Sequence, residues 1–549
     1  RDDVESRGLG DVYKRQINII TKDPVNNSFQ VASTLSGLDA KTWEQNVSAN
    51  ASLVSSDNSY GIAVYQAYRN RNPYDANGDG FSELGKLNMN TFGLRSYYRP
   101  TQFSRISLEY HTTNEFRRGG NKFDLQPHET DITEQTKHII NSGGLTYDVF
   151  FREYKHKLSV YSSLQHIDRN SYYGSGMDLN AYGSTKDLTA VGGAMYVGNM
   201  DRCFFALATF TGGVEYQYNS LHDKMLGYQR DLKQDVKVGS AFLQNEWKMD
   251  YFTILAGFRL DKHNLVEKLI FSPRINALWK PSEKFQGRLT WSTGFRAPQA
   301  YDEDLHVAAV GGNMVLIRVA EGLKPERSNS FSGSIDWGFN FGHFQSNLLI
   351  EGFYTALNDV FYLEPVGYDD EARAEVHERR NGRGARVYGA NIDYKIAHGR
   401  EAQLQLGFTA QRSRYTEGVK WSEDPDASLI TTMTRTPDYY GYFTFSTSPL
   451  KNFDASLSGV YTGKMWVPHM AGYIEKDRME RTPDFMDLNL KLNYTFVLND
   501  HLKLQLNGGV QNIFNSYQKD LDAGATRDSK YVYGPSQPRT YFIGFKLFN

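Results

Sequence analysis

The chain has 549 residues, a formal net charge of −2 and a single cysteine, with 36 Tyr and 33 Phe lifting its aromatic content to 14%. Near-neutral charge points away from nucleic acid. Cys203 alone excludes an internal disulfide framework and a Cys-rich metal site, and no run of about 20 apolar residues offers a membrane-crossing helix.

Residues 1–16 are polar and without period, and are read as a non-native or unstructured leader. No secretory signal is present, so any destination beyond the inner membrane implies a truncated or processed start. Ile17-Asn18-Ile19-Ile20-Thr21-Lys22 is a short β-branched strand stopped by Pro24, and 17–26 stand apart from the long alternating region 27–549.

From residue 27 onward the chain resolves into strands of period two. Ile106, Leu108 and Tyr110 alternate with Ser107, Glu109 and His111; Ala390, Ile392, Tyr394 and Ile396 alternate with Asn391, Asp393 and Lys395. Leu404, Leu406 and Phe408 oppose Gln403 and Gln405, and Leu488, Leu490, Leu492 and Tyr494 oppose Asn489, Lys491 and Asn493. Such alternation keeps mean hydropathy low, at −0.56, while each strand still presents an apolar side. A soluble propeller would share the strands but would show a repeat of blade length. None is present.

Tight turns are expected near Ser56–Asn58, Arg99–Gln102, Phe150–Glu153, Asn199–Asp201 and Met249–Phe252. Others fall near Lys280–Glu283, Phe341–His343, Ala397–Glu401, Ser448–Asn452 and Leu498–His501. The longest intervening loops are 298–325, 358–386, 412–437, 465–483 and 515–536. This alternation predicts an all-β transmembrane antiparallel β-barrel of about 22 strands over 27–549, with short periplasmic turns and long extracellular loops. The last stretch, Tyr541 to Phe548, keeps the same period and is expected to close the sheet on the first strand. Such a chain is multi-pass in the outer membrane, with lipid as its surroundings. Barrels of this strand number are plugged transporters rather than open pores.

Asp75, Asn77 and Asp79 have the one-three-five oxygen spacing of a calcium loop, with Gly80 at the turn, the Phe81 carbonyl next and Glu83 at position nine. Position twelve is Lys86, so an EF-hand is excluded and a weaker structural calcium site in an extracellular loop remains. An ordinary Asp/Gly turn has the same composition. Loop residues Arg117, Tyr172 and Trp466 suit the grip of a large, partly aromatic ligand, or an interfacial girdle. No nucleophile elbow, His-Glu-x-x-His or phosphate loop stands in a credible context, so no enzyme activity and no required cofactor are expected.

Several motifs resemble one family. Thr293-Gly294-Phe295-Arg296-Ala297-Pro298, Leu323-Lys324-Pro325-Glu326-Arg327-Ser328, Val510-Gln511-Asn512-Ile513-Phe514-Asn515 and Gly534-Pro535-Ser536-Gln537-Pro538-Arg539 are similar to strand ends of TonB-dependent outer-membrane receptors. The terminal strand resembles the C-terminal signature of outer-membrane proteins, with Phe548 one place early before Asn549. By this resemblance Ile17 to Lys22 is the end of a plug domain otherwise missing together with its TonB-contacting box. The resemblance implies import of a scarce large solute, such as a ferric siderophore, haem or cobalamin, so the ligand is a metal chelate or corrinoid. Energy would come from the TonB-ExbB-ExbD system through the missing N-terminal region. A passive porin or a surface-binding receptor is the alternative. Haem receptors of similar sequence place a histidine between the first two motifs, where His306 stands near Tyr301. By this resemblance Arg296, Tyr301 and His306 are candidate ligand-binding residues, while Arg296 and Glu326 have a simpler reading as a pair at the barrel rim.

Overall fold

The computed structural model describes residues 23–549, apart from 300–307, 311–312, 371–373, 423 and 529. The plug-like segment Ile17–Lys22, Tyr301 and His306 therefore lie outside the described residues.

A strand with one apolar and one polar side is stable only if the two sides meet different surroundings, and its backbone groups need a partner on each edge. Closing the sheet meets both demands. Among the described residues, 23 strands join in one sheet; one of these is the three-residue Ile430–Thr432 flanking Ala402–Val419, which leaves 22 around the barrel. Every neighbouring pair is antiparallel, as up-and-down connection requires. The ring closes where Ser28–Leu38 pairs with Thr540–Phe548, Gln30 opposite Phe548 and Leu38 opposite Thr540. Asn549 extends this seam: its side-chain oxygen accepts the Phe29 amide at 2.8 Å.

The alternation sorts as expected. Leu108, Tyr110, Ile392, Leu406, Phe408, Leu492, Tyr494, Tyr541, Ile543 and Phe545 are all exposed on the outward face. A soluble surface would not leave so much apolar area contiguous, whereas lipid suits it. Their polar neighbours bond to one another across the inner wall. Asn391 donates to Glu351 at 3.1 Å, Gln405 to Asp393 at 3.2 Å, and Thr409 to Asn391 at 2.9 Å.

Nine of the ten expected turns coincide with hairpin ends. The exception is Asn199–Asp201, which lies inside the strand Tyr182–Cys203; the reversal comes at Phe204 and Phe205. Asn and Asp there imitate a turn, but Lys155 binds Asp201 at 3.1 Å and a register shift between Met200 and Cys203 absorbs the irregularity.

Five consecutive strands between Ile132 and Lys248 run 19 to 22 residues. Spanning a bilayer takes about 9–11, so this side of the wall rises well beyond the membrane. Apolar cores are small and sit among the loops. Val467, Phe485, Tyr531 and Tyr533 form one, Leu38, Tyr74 and Leu84 another, and Leu357, Val360 and Ala385 a third.

Candidate functional site: the extracellular mouth

Two loops build a sheet of their own over the mouth. Asn313–Val319, from the loop after Arg296, runs parallel to Ala374–Asn381, which pairs in turn with Phe361–Asp369. Val319 packs, together with Leu232, against Leu221 on the tall wall. Leu221 shares its parity with the inward residues Glu215 and Asp223, so this loop bends into the lumen and not away from it.

The base of that sheet is a charged and aromatic clasp. Arg296 and Glu326 sit opposite each other in register, 3.8 Å apart, with Glu326 buried and the Arg296 side chain 9% exposed. Glu326 accepts the Phe361 amide at 2.5 Å, while Arg296 and Arg379 place their guanidinium groups 5.4 and 5.9 Å from the Phe361 ring. Arg296 is thus a rim residue, as its simpler reading holds, and it fixes where two loops start. Further out, Arg380 binds Glu364 and Glu378, each at 2.5 Å, and Arg318 binds Asp369 at 3.0 Å, all partly solvent-exposed.

Across the mouth, the tall wall carries a polar row. Thr185 donates to Asp223 at 2.6 Å and accepts Arg169 at 2.8 Å, and Arg230 reaches Asp223 at 3.3 Å. Glu115 lies in the same row. It holds Arg117 at 2.7 and 3.0 Å, and its carboxylate comes within 3.8 Å of His138. Arg117 keeps 64% of its side chain exposed, so it meets solvent in the vestibule.

Loops 420–438, 463–484 and 512–539 pack on one another as a cap. His469 stacks flat on Tyr531, centroids 3.6 Å apart, and its Nε2 lies 2.9 Å from Asp522. Arg435 donates to the carbonyl of Val532 at 2.6 Å and to that of Lys530, so loop 420–438 is held to loop 512–539. Trp466 opens the short hairpin Trp466–His469 with Arg478–Arg481, is 40% exposed, and receives the Arg481 guanidinium 5.9 Å over its ring.

Asp75, Asn77, Asp79, Phe81 and Glu83 do come together, but around amides and a guanidinium. Asp75 accepts the Gly78 and Gly80 amides at 2.6 and 2.8 Å, and Glu83 accepts the Ala76 amide at 2.6 Å. Arg527, from the last loop, bonds Asp79 and Glu83, the latter at 3.1 Å, with its guanidinium 4.9 Å over buried Phe81. Asn77 donates to the Asp522 carbonyl at 3.3 Å. Among the described residues no group of three His, Cys, Asp or Glu side chains is set to hold a metal ion.

Arg117 and Arg296 point inward at the mouth, and Trp466 lies in the cap. Tyr172 does not join them: it has the parity of the outward face and is 1% exposed. Its hydroxyl goes to the Asp178 carbonyl at 3.0 Å, with Tyr182 edge-on at 4.8 Å. The Arg169–Asp223 row and the His469–Asp522 pair were not singled out from sequence. Only register and loop packing bring those residues together.

A family model described as TonB dependent receptor-like, beta-barrel, matches residues 13–513. The chain belongs to the TonB-dependent receptor β-barrel family. Solved structures with the same fold include the siderophore receptor PirA from Acinetobacter baumannii, 15% identical with a TM-score of 0.75, covering 97% of this chain and 82% of that one. The ferric enterobactin receptor PfeA from Pseudomonas aeruginosa, as a point mutant in complex with enterobactin, gives 14% identity and a TM-score of 0.72 over 97% and 83%. The ferric-catecholate import receptor Fiu from E. coli K12 gives 12% and 0.71 over 97% and 83%. No curated protein matches the sequence.

Proposed function

We propose that this chain is the barrel of an outer-membrane receptor that takes up a ferric siderophore, driven by the TonB-ExbB-ExbD system through the region upstream of the barrel. The observation that carries this reading is a mouth whose loops turn inward, Val319 onto Leu221, and which carries exposed cationic side chains such as Arg117 and Arg380. An open porin needs no such cover. A large anionic chelate is held by guanidinium groups and rings together, and the solved structures of similar fold are those of siderophore receptors. Haem and corrinoids are the other ligands of this size.

The test is uptake in cells lacking their own iron receptors, with the full-length receptor supplied. Radiolabelled ferric catecholate, ferric hydroxamate, haem and cobalamin would be offered in turn, with and without TonB. TonB-dependent accumulation of a ferric chelate supports the proposal. TonB-independent entry of small sugars would replace it with the porin reading, and surface binding without accumulation with that of a receptor.

A further inference from the structure

Asp23, just ahead of the first barrel strand, is held on the inner wall by two arginines. Asp23 Oδ1 lies 2.9 Å from Arg95 Nε and 2.8 Å from its Nη2, and Oδ2 lies 2.6 Å from Arg105 Nη2. The two arginines stand on the adjacent strands Ser82–Thr101 and Ser104–Gly120, close to the hairpin that joins them at the periplasmic end. Their own surroundings hold them in place. Arg95 also pairs with Glu109, directly opposite it in register, and Arg105 lies 5.0 Å over the ring of buried Tyr97.

Pro24 comes next in the chain and is buried beside the same ring. A side chain at Gly61 would come within 2.5 Å of Tyr97 and 3.1 Å of Pro24, so glycine leaves the space in which both sit. Three residues on, the Asn27 side chain accepts the Val54 amide at 2.7 Å and enters the ladder. The Asp23 side chain is one-third exposed and the arginines about one-fifth. Burial pushes its carboxyl up, yet Arg105 and Arg95 outweigh that and hold it below the usual carboxylate range. A forked carboxylate on two guanidinium groups is among the stronger and more directional polar contacts available.

We propose that Asp23 is the fixed point tethering the segment N-terminal to the barrel, so that a pull on it is resisted at Arg95 and Arg105 instead of peeling Ser28–Leu38 from the seam. This rests on the reading of the chain as an energised importer. It makes Asp23 a positioning residue, one that touches no ligand.

The test uses the full-length receptor with a spin label at position 25, where Val25 is 77% exposed. Asp23→Lys, which both arginines repel, should raise label mobility, and Asp23→Lys with Arg105→Asp should restore it. In energised cells Asp23→Lys should cause a loss of uptake with ligand binding unchanged. Asp23→Cys and Arg105→Cys joined by a reducible bis-methanethiosulfonate crosslinker, whose spacer replaces the length of the arginine side chain and makes the tether permanent, should leave uptake intact. Unchanged label mobility in Asp23→Lys, or uptake blocked by the crosslink and regained on reduction, would overturn the proposal. Absence of uptake by the wild-type receptor would count against the importer reading alone, and label mobility would still decide the tether.

Discussion

Arg527 bonds Glu83 at 3.1 Å across 444 residues of sequence, and the same guanidinium bonds Asp79. Loop 72–81 and loop 512–539 flank the seam between the first and last strands, so this contact bridges the closure on its extracellular side. All three side chains are at most 15% exposed. Removing the cation would leave two carboxylates facing each other with little water.

Arg527→Ala is therefore expected to loosen the last loop by about 3 kcal/mol of local opening free energy, without unfolding the barrel. Hydrogen exchange of the Gly524 amide, which donates to Asp79 at 2.7 Å, measures this directly. Unchanged protection would show that the apolar packing nearby holds the loop without the ion pair.

The same contact sets a pH dependence. Burial raises the Asp79 carboxyl, but the Gly524 and Phe81 amides and Arg527 together hold it below its ordinary value. For a depressed carboxylate the stabilisation is present above the unfolded value, about 4, and disappears as pH falls through the folded one. Burial raises the Glu83 carboxyl on the same guanidinium, a cost relieved as pH falls. The Asp79 effect is therefore read in Glu83→Gln, where Gly524 protection, corrected for intrinsic exchange, should be flat from pH 8 to 5 and decline only below about 4.

Calcium and Arg527 compete for the same oxygens. With the guanidinium in place, calcium should bind the wild-type loop no tighter than about 1 mM, the weak end for extracellular modules. Arg527→Gln removes the competitor and should tighten binding, and Asp75→Ala with Asp79→Ala should abolish it. Isothermal titration in detergent separates these outcomes. Tight binding by the wild type would mean that the ion displaces Arg527.

Much of the barrel was legible because strand parity is a local property. Leu488, Leu490 and Leu492 opposite Asn489 and Lys491 reveal two faces without any knowledge of neighbours. The turn at Phe204–Phe205 was not legible, since Asn199 and Asp201 carry stronger turn chemistry than two exposed phenylalanines. At the mouth, sequence found Arg296 and Glu326 through the strand-end motifs around them. It could not find His469 with Asp522, 53 residues apart, because loop packing alone makes them neighbours. Tyr172 looked like a gripping residue by type, and only its parity shows that it faces away from the lumen.

Parity also fixes what each face tolerates. Leu289 is 69% exposed on the outward face of Phe285–Arg296, while Thr290 faces inward and accepts Asn276 at 2.7 Å. Leu289→Arg should cost up to about 2–4 kcal/mol if it lies at mid-bilayer, and less toward either interface. Thr290→Arg should cost less at the same height. Urea unfolding in lipid vesicles compares the two, and equal costs would contradict the assignment of faces.

The cap provides the last prediction. His469 is 3% exposed, stacked on Tyr531, with Nε2 at 2.9 and 3.1 Å from the two oxygens of Asp522. Asp522 also accepts the Asp528 amide at 2.8 Å, and Asp528 accepts that of Met470 at 3.0 Å, so this one carboxylate organises two loops. His469→Phe keeps a ring on Tyr531 but leaves Asp522 without its imidazole, a buried charge deprived of its partner. It should destabilise the cap by about 3 kcal/mol. Asp522→Asn still offers an acceptor and removes the charge, so adding it to His469→Phe should recover part of the loss. Exchange protection of the Met470 and Asp528 amides reads both effects in the four proteins of the cycle. If His469→Phe left those amides as protected as in the wild type, stacking on Tyr531 would be the organising contact and the carboxylate secondary.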